Sequence, residues 1–243
     1  MKQEVTIVGY GRFGSLVAHN LKRIFSVGIL EINRSVHLER GIHRVSLHEA
    51  TKRKIIILAV PIRSFKSLLK TIAPLLQPKT LVIDVCSVKD LPIQWMKKIL
   101  PAHAYILGAH PLFGPDSIGK TLVDKPIVLC PERIPAPQFR KIVRALRTTG
   151  MDTFIMNPRD HDRLMAETLF LTQFVGRGIS NFFSSAKIIS TENYKLLQHI
   201  AMASMNDSVQ LFHDMYRFNR FTHRMPDKIF RQFRHLASTL PKH

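Results

Sequence analysis

Two short polar clusters in this sequence carry side chains that could do chemistry. Residues 84–89 read Asp-x-x-Ser-Val-Lys, and residues 108–115 read Gly-x-His-Pro-x-Phe-Gly-Pro, with the histidine at position 110. A neutral imidazole can accept a proton near neutral pH. The prolines and glycines around His110 predict a stiff loop that holds its ring beside a reacting centre. A lone histidine is more often structural, but this pattern favours proton transfer by His110.

A glycine motif near the start of the chain could hold a dinucleotide. Gly9-x-Gly11-x-x-Gly14 follows a predicted strand at residues 5–8 and opens a predicted helix, and Glu31 follows Gly9 by 22 residues, at the end of a second predicted strand. In this context Gly9 permits a tight turn, Gly11 lets the backbone approach a pyrophosphate, and Gly14 allows the helix to pack on the sheet. We therefore predict a dinucleotide site.

The choice of cofactor depends on the residues that follow the second strand. A carboxylate at Glu31 would accept hydrogen bonds from the adenosine ribose and repel a 2′-phosphate, which favours NAD. Arg34 lies close by and could instead receive the 2′-phosphate, so NADP stays an alternative. The predicted cofactor-binding residues are Gly9, Gly11, Arg12, Phe13, Gly14, Glu31, Asn33, Arg34, Val60 and Pro61.

Alternating strands and helices must position these clusters. Short apolar runs predict strands buried on both faces, with helices between them, as in a parallel sheet. Beyond Gly150 the pattern becomes helical, and residues 160–184, 193–221 and 226–240 are predicted helices. We predict an α/β fold, with a doubly wound (Rossmann-type), mostly parallel sheet in a dinucleotide-binding domain at residues 1–155. A smaller all-helical domain for substrate binding and dimerisation is predicted at residues 156–243.

The composition excludes several classes of protein. Of the 243 residues, 45% are hydrophobic and 22% are charged, which is typical of a globular chain rather than a disordered one. The longest apolar runs hold about eight residues, far fewer than the roughly 20 of a membrane-spanning helix. A strand-like stretch beginning at Val5 leaves no room for a secretory signal, so a cytoplasmic location is expected. Cys86 and Cys130 are expected to be reduced thiols in the core.

The net charge of +19 predicts a substrate or partner of negative sign. Residues 217–243 alternate basic side chains with phenylalanines, a pattern that could bind single-stranded nucleic acid by charge and stacking. The same spacing suits an amphipathic basic helix packed on its own domain, which is the favoured interpretation. Nucleic acid is therefore not the expected partner. A membrane is not expected either, because the apolar runs are too short to span one.

Taken together, these motifs resemble the prephenate/arogenate dehydrogenase family of tyrosine biosynthesis. The glycine motif, residues 57–61 and both polar clusters match the family pattern in order, over about the first 180 residues. The resemblance implies an oxidoreductase that decarboxylates prephenate, or arogenate, with hydride transfer to NAD or NADP and without a metal. It also implies that His110 accepts the hydrogen bond of the ring hydroxyl and that Ser87 bridges this hydroxyl and the nicotinamide.

The resemblance further implies a set of substrate contacts and a homodimer formed through the helical domain. Lys89 would be a carboxylate partner or a loop organiser, and the plant-type enzymes carry histidine where this chain has Gln173. A glutamine cannot take a proton near neutral pH. This difference, together with a helical domain that is short for the family, leaves a degenerate or regulatory nucleotide-binding member as an alternative. The net charge of +19 leaves a basic nucleic-acid-binding protein as a second one. The candidate substrate-binding residues are Lys89, Asp116, Ser117, Gln173 and Arg177.

Overall fold

The computed structural model describes residues 2–119, 121–183 and 189–241. The chain divides into two compact units, Met1–His161 and Asp162–His243. The predicted boundary between residues 155 and 156 precedes this division, because the first turn of the helix that begins at Pro158 belongs to the first unit.

In its described residues, the first unit contains one eight-stranded sheet. Its strands are β1 (Gln3–Val8), β2 (Phe25–Leu30), β3 (Ile42–Arg44), β4 (Ile55–Leu58), β5 (Leu81–Asp84), β6 (Tyr105–Pro111), β7 (Pro126–Arg133) and β8 (Asp152–Ile155). Its helices are α1 (Arg12–Leu21), α2 (Leu47–Lys52), α3 (Ile62–Ile72), α4 (Asp90–Ile99) and α5 (Ala136–Thr148), and α6 (Pro158–Met165) begins here.

The strand order is β3-β2-β1-β4-β5-β6-β7-β8. All neighbours pair in parallel except β6 and β7, which are antiparallel. The order of the first six strands is that of doubly wound dinucleotide-binding folds, which confirms the predicted fold class. Ligands of such sheets bind outside the carboxyl ends of the strands where the order reverses, which here lies between β1 and β4.

The sheet is buried on both faces, as its apolar strands predict. Along β1, Val5 and Ile7 pack on one face with Ala18 of α1, whereas Val8 packs on the other with Phe65 of α3. Side chains alternate between the two faces of a strand, so continuous apolar runs are needed when both faces are covered. This packing holds the carboxyl ends of β1, β4, β5 and β6 at one edge.

In its described residues, the second unit is built from helices joined by short turns. The chain continues from α6 through a π-helical segment (Ala166–Phe170) into α7 (Leu171–Ile179) and a short 3-10 turn (Ser180–Phe183), and α8 (Glu192–Asn206), α9 (Val209–Phe218) and α10 (Met225–Ser238) follow. Phe170, Phe174, Met215 and Met225 belong to its apolar core. No helix in the described ranges is long and apolar enough to cross a membrane.

The predicted single helix at residues 193–221 is wrong. Two helices, α8 and α9, replace it, and the break falls at Asp207 and Ser208. The Ser208 side chain accepts a hydrogen bond from the backbone N–H of Leu211 at 3.1 Å, which is an N-cap. A serine inside an apolar period can therefore start a new helix rather than continue the old one.

Candidate nucleotide and proton-transfer site

The glycine turn after β1 has the shape that a pyrophosphate site requires. Gly9 has a φ of +94°, and its N–H donates to the Leu30 carbonyl at 2.9 Å. A side chain at Gly14 would overlap the Gly9 carbonyl, so α1 reaches the turn closely only because glycine is present. Gly11 faces open space at the N-terminus of α1, where no side chain caps the helix. The N–H groups of a helix N-terminus are suited to receive an anion.

Glu31 lies directly after β2 and ties the glycine turn to the loop that follows. Its Oε2 accepts from the Tyr10 N–H at 2.8 Å, and its Oε1 accepts from the Asn33 N–H at 2.9 Å. A carboxylate has about four acceptor sites, so two remain for a ribose. Arg34 is exposed, and the guanidinium of Arg44 donates to carbonyls in this loop, including that of Glu31 at 3.1 Å.

Residues after β4 and β5 form the next part of the same sheet edge. Val60 is half-buried, and Pro61 is the N-cap residue of α3. The Cys86 thiol lies 3.8 Å from the Val60 carbonyl oxygen, so the ends of β4 and β5 meet. Ser87 is half-buried beside them. The predicted cofactor residues and the predicted catalytic serine therefore share one edge.

A salt bridge joins the glycine turn to the loop after β6. The Arg12 guanidinium lies 2.6 Å from the Asp116 carboxylate, and both side chains are about half exposed. Ser117 closes its own turn by accepting from the Gly114 N–H at 3.0 Å. Phe13 is half-buried. In this structure Asp116 therefore forms an ion pair with Arg12, the first residue of α1, whereas the sequence predicted that it contacts the substrate.

The prediction that His110 lies in a loop is wrong. Its residue belongs to β6 and pairs with Val128 of β7, because β6 continues to Pro111 before the chain turns away. His110 is buried, with 5% of its surface exposed. Since β6 runs parallel to β5, His110 nevertheless lies near the carboxyl edge that holds the glycine turn. A strand holds the ring more rigidly than a loop would.

His110 is paired with a second buried histidine. His110 Nδ1 and His161 Nε2 are 2.9 Å apart, and the two rings meet edge to face. His161 is fully buried on the first turn of α6, whose N-terminus is capped by Asn157. Burial, together with His161 and Lys89, holds the pKa of His110 well below its usual value, and burial and Lys89 lower the pKa of His161 to about 3. Both rings are therefore neutral near pH 7.

Lys89 forms a buried ion pair at the end of β5. It is fully buried, and its ammonium forms an ion pair with the equally buried carboxylate of Asp84. The same carboxylate accepts from the Cys86 N–H at 2.8 Å. Burial raises the pKa of the Asp84 carboxyl, and the Lys89 ammonium opposes this shift. The ion pair is what a loop-organising role of Lys89 requires, and its predicted substrate contact stays a prediction.

Gln173 and Arg177 bind within the second unit. The Gln173 amide donates to the Asp207 carboxylate at 2.8 Å, and Arg177 donates to the Gln173 amide oxygen at 3.2 Å and to the Asp207 carbonyl at 2.6 Å. The Arg177 guanidinium also lies over the ring of Phe212. This network ties α7 to the α8–α9 corner. Both side chains are thus engaged in packing, and their predicted substrate contacts stay predictions.

Sequence reasoning missed two site residues, His161 and Arg44. The only sequence signal for His161 was its place between Asp160 and Asp162, where the predicted helical domain begins. Arg44 lies in a three-residue strand that no apolar run marks. In the described part of the chain, no group of three or more histidine, cysteine or acidic residues could hold a metal ion.

Comparison with known families adds an independent finding. Residues 28–154 match a family model described as the nucleotide-binding domain of prephenate dehydrogenase. Residues 181–243 match a second model, described as the TYRAAT1-like C-terminal domain. The first match covers more than half of the chain, beginning within β2 and ending within β8.

Two curated relatives show the same likeness along most of this chain. Arogenate dehydrogenase 1 of Arabidopsis thaliana, a chloroplastic protein, is 27% identical over 232 residues, which cover 88% of this chain and 36% of that protein. A probable arogenate/prephenate dehydrogenase of Methanocaldococcus jannaschii is 24% identical over 201 residues, which cover 78% of this chain and 45% of that protein. This chain therefore spans less than half the length of either relative.

Solved structures show that the fold is shared. The prephenate dehydrogenase of A. aeolicus, crystallised with hydroxyphenyl propionate and NAD+, superposes with a TM-score of 0.74 at 18% identity, covering 98% of this chain and 90% of that one. The arogenate dehydrogenase of Synechocystis gives a TM-score of 0.70 at 20% identity, covering 97% and 91%.

Proposed function

Because this chain belongs to the prephenate dehydrogenase family, we propose that it oxidatively decarboxylates prephenate, or arogenate, with NAD as the hydride acceptor. The observation that carries the proposal is the position of His110, a buried neutral imidazole at the sheet edge that also holds the glycine turn. The glycine turn follows β1 and His110 lies near the end of β6. These two strands are three strand spacings apart along the sheet edge, roughly 14 Å at about 4.8 Å each.

The residues at the edge fit a dinucleotide. The uncapped N-terminus of α1 and the open space at Gly11 would receive the pyrophosphate, and the two free acceptor sites of Glu31 would receive the ribose hydroxyls. Val60 and Ser87, which follow β4 and β5, would lie along the remainder of the cofactor. When bound, the oxidised nicotinamide supplies the acceptor for the hydride.

His110 would act on the hydroxyl of the substrate ring. Hydride can leave the ring carbon only as this hydroxyl becomes carbonyl-like, so a neutral imidazole that accepts the hydroxyl proton lowers the barrier. The ring carboxylate leaves as carbon dioxide, and aromatisation drives the step. The protein's part is therefore to orient the substrate and to draw the proton away. The net charge of +19 suits a substrate that bears carboxylates.

A steady-state assay that crosses prephenate and arogenate with NAD and NADP tests the proposal. We expect NAD reduction with at least one of the two ring substrates. If no pair gives turnover while NAD still binds, the proposed reaction fails and the regulatory nucleotide-binding alternative is favoured.

Glu31 is expected to set the preference for NAD. Glu31→Ser should weaken NAD binding and improve NADP binding, because it removes the negative charge beside the adenosine 2′ position. Glu31→Gln is the matched comparison: it removes the charge at nearly the same volume, although its single amide oxygen can accept from only one of the Tyr10 and Asn33 N–H groups. Dissociation constants for both cofactors decide the question. If the unmodified protein prefers NADP tenfold or more, about 1.4 kcal/mol, the interpretation of Glu31 is wrong and Arg34 dominates.

We also propose that the second unit forms a homodimer. Its described helices expose several large apolar side chains, and extended apolar surface of this kind usually marks a protein–protein interface. Light scattering at micromolar concentration should give the mass of a dimer, and Met202→Glu combined with Met205→Glu should shift it toward the monomer. Ile24→Glu, an equally exposed apolar position in the first unit, is the control and should leave the mass unchanged. A monomeric unmodified protein would contradict the proposal. The exposed residues include Leu196, Leu197, Met202, Met205, Phe230, Phe233, Leu236 and Leu240.

A further inference from the structure

We propose that His161 is the positioning residue for His110: it accepts a hydrogen bond from the Nδ1–H of His110 and so keeps the Nε2 lone pair of that ring free to take a proton from the substrate. This inference rests on the proposed function for its catalytic consequence. The tautomer it assigns is a property of the protein alone and can be measured without turnover.

The geometry identifies the ring nitrogen of each histidine that takes part in the hydrogen bond. The hydrogen bond between the two rings joins His110 Nδ1 to His161 Nε2 at 2.9 Å. One nitrogen must donate and the other accept, because a neutral imidazole carries one N–H and one lone pair. If His110 donates from Nδ1, its Nε2 is unprotonated and can act as a base. If His161 donates instead, His110 carries its proton on Nε2 and cannot accept another.

The surroundings of the pair exclude the imidazolium form of His161, which could not accept a hydrogen bond at Nε2. His161 is fully buried, and burial together with the nearby Lys89 ammonium lowers its pKa to about 3, so its ring stays neutral at every pH at which the protein would work. A protonated His161 would be a donor at both nitrogens and would force the wrong tautomer on His110. The Asp84–Lys89 ion pair therefore contributes to the site through electrostatics rather than by contact with substrate.

The position of His161 in the chain gives the arrangement its rigidity. Asn157 accepts from the Asp160 N–H at 2.9 Å and fixes the start of α6, while His110 is held in β6 by its pairing with β7. A strand and a capped helix thus hold the two rings at a defined angle. Triads of hydrolytic enzymes use a buried carboxylate to orient a catalytic histidine. Here a neutral imidazole would do this work, and it leaves no second negative charge beside an anionic substrate.

The first test is the tautomer itself. Long-range ¹H–¹⁵N spectra of the full-length protein at pH 7, with His110 assigned by the loss of its signals in His110→Asn, should show a protonated Nδ1 and an unprotonated Nε2. A protonated Nε2 on His110 would overturn the inference. This measurement needs no substrate, so it gives the same answer whether or not the proposed reaction is found.

The second test separates positioning from packing. His161→Phe keeps a ring but removes the acceptor, and we expect the His110 proton to move to Nε2 and kcat to fall about 10- to 100-fold, since a buried N–H without an acceptor is disfavoured by about that factor. His161→Gln, whose amide oxygen can accept from Nδ1, should restore kcat to within a few-fold of the unmodified enzyme and restore the original tautomer. His103→Phe, the same substitution just before the other end of β6, is the control.

The outcomes are distinct. Normal turnover and an unchanged His110 tautomer in His161→Phe would overturn the proposal. Equal losses of kcat in His161→Phe and His161→Gln, with equal losses of melting temperature and NAD affinity, would show a packing role and would also overturn it. If His161→Phe does not fold, the tautomer in the unmodified protein and the behaviour of His161→Gln decide. Absence of turnover in the unmodified protein would refute the proposed function, whereas the spectra would still decide the role of His161.

Discussion

His110→Asn should lower kcat by roughly 10²- to 10⁴-fold, about 3 to 5 kcal/mol of transition-state stabilisation. Asparagine fills much of the same space and can still hydrogen-bond to His161, but it cannot take up a proton near neutral pH. NAD affinity should be nearly unchanged, because the cofactor would be held by the turn from Gly9 to Gly14 and by Glu31. Steady-state kinetics and a direct measurement of NAD binding test both parts.

The competing interpretation is that His110 only packs the edge of the sheet. In that case the substitution would lower the melting temperature and the NAD affinity together with turnover, and melting temperature must therefore be measured beside kcat. His103→Asn is a suitable control, because it makes the same change at a histidine that bonds to the Leu76 carbonyl away from the site. A folded His110→Asn variant that keeps most of its turnover would refute the catalytic assignment.

The pH dependence of turnover follows from the burial of the same residue. An unperturbed imidazole would lose its accepting nitrogen near pH 6.5, but burial, His161 and Lys89 hold the pKa of His110 well below that value. The accepting form therefore persists to lower pH than in a free imidazole, and the acid limb of the rate profile should lie below 6.5. In His161→Gln, which removes one neighbouring ring, the limb should stay below 6.5 because burial is the larger cause.

Much of the fold is predictable from the sequence because parallel strands buried on both faces need continuous apolar runs. The runs that become β1, β4 and β5 are of this kind, and Pro74 and Pro101 mark where the helices before them stop. The two strands that the sequence did not predict, β3 and β8, lack such an apolar run. β3 has three residues, two of them exposed and polar, and β8 lies at the sheet edge and is mostly exposed. Edge positions bury too little apolar surface to impose a pattern.

The site is predictable only in part for a related reason. The glycine turn and Glu31 are local signals, since a tight turn and a strand end constrain the residue types beside them. The contact between His110 and His161 joins positions 51 residues apart, and no spacing rule reports a contact made by tertiary packing. The burial of a charged side chain is equally hard to predict from the sequence. A lysine in a polar cluster is expected to be accessible to solvent, yet Lys89 has no exposed surface.

Removal of Lys89 alone, which leaves the Asp84 carboxylate without its partner, should strongly destabilise the first unit. Lys89→Met keeps most of the side-chain volume but leaves the Asp84 carboxylate buried without its cation, which costs about 3 to 5 kcal/mol in free energy of unfolding. Lys97→Met is the matched control. It breaks the half-exposed Lys97–Glu132 bridge and should cost about 1 kcal/mol or less. Denaturant titrations at pH 7 compare the two variants.

The pH dependence of Lys89→Met identifies the buried charge as the cause. Without the ammonium, burial is still opposed by the hydrogen bonds from Cys86 but no longer by Lys89, so the pKa of this carboxyl rises further above its unfolded value. A group with a raised folded pKa contributes stability below its unfolded pKa and loses that contribution as the pH rises through the folded one. The deficit of Lys89→Met should therefore shrink as the pH falls toward 4. Asp84→Asn combined with Lys89→Met, which removes both charges, should recover most of the loss at pH 7. A double variant no more stable than Lys89→Met would instead assign the cost to lost packing around the lysine stem.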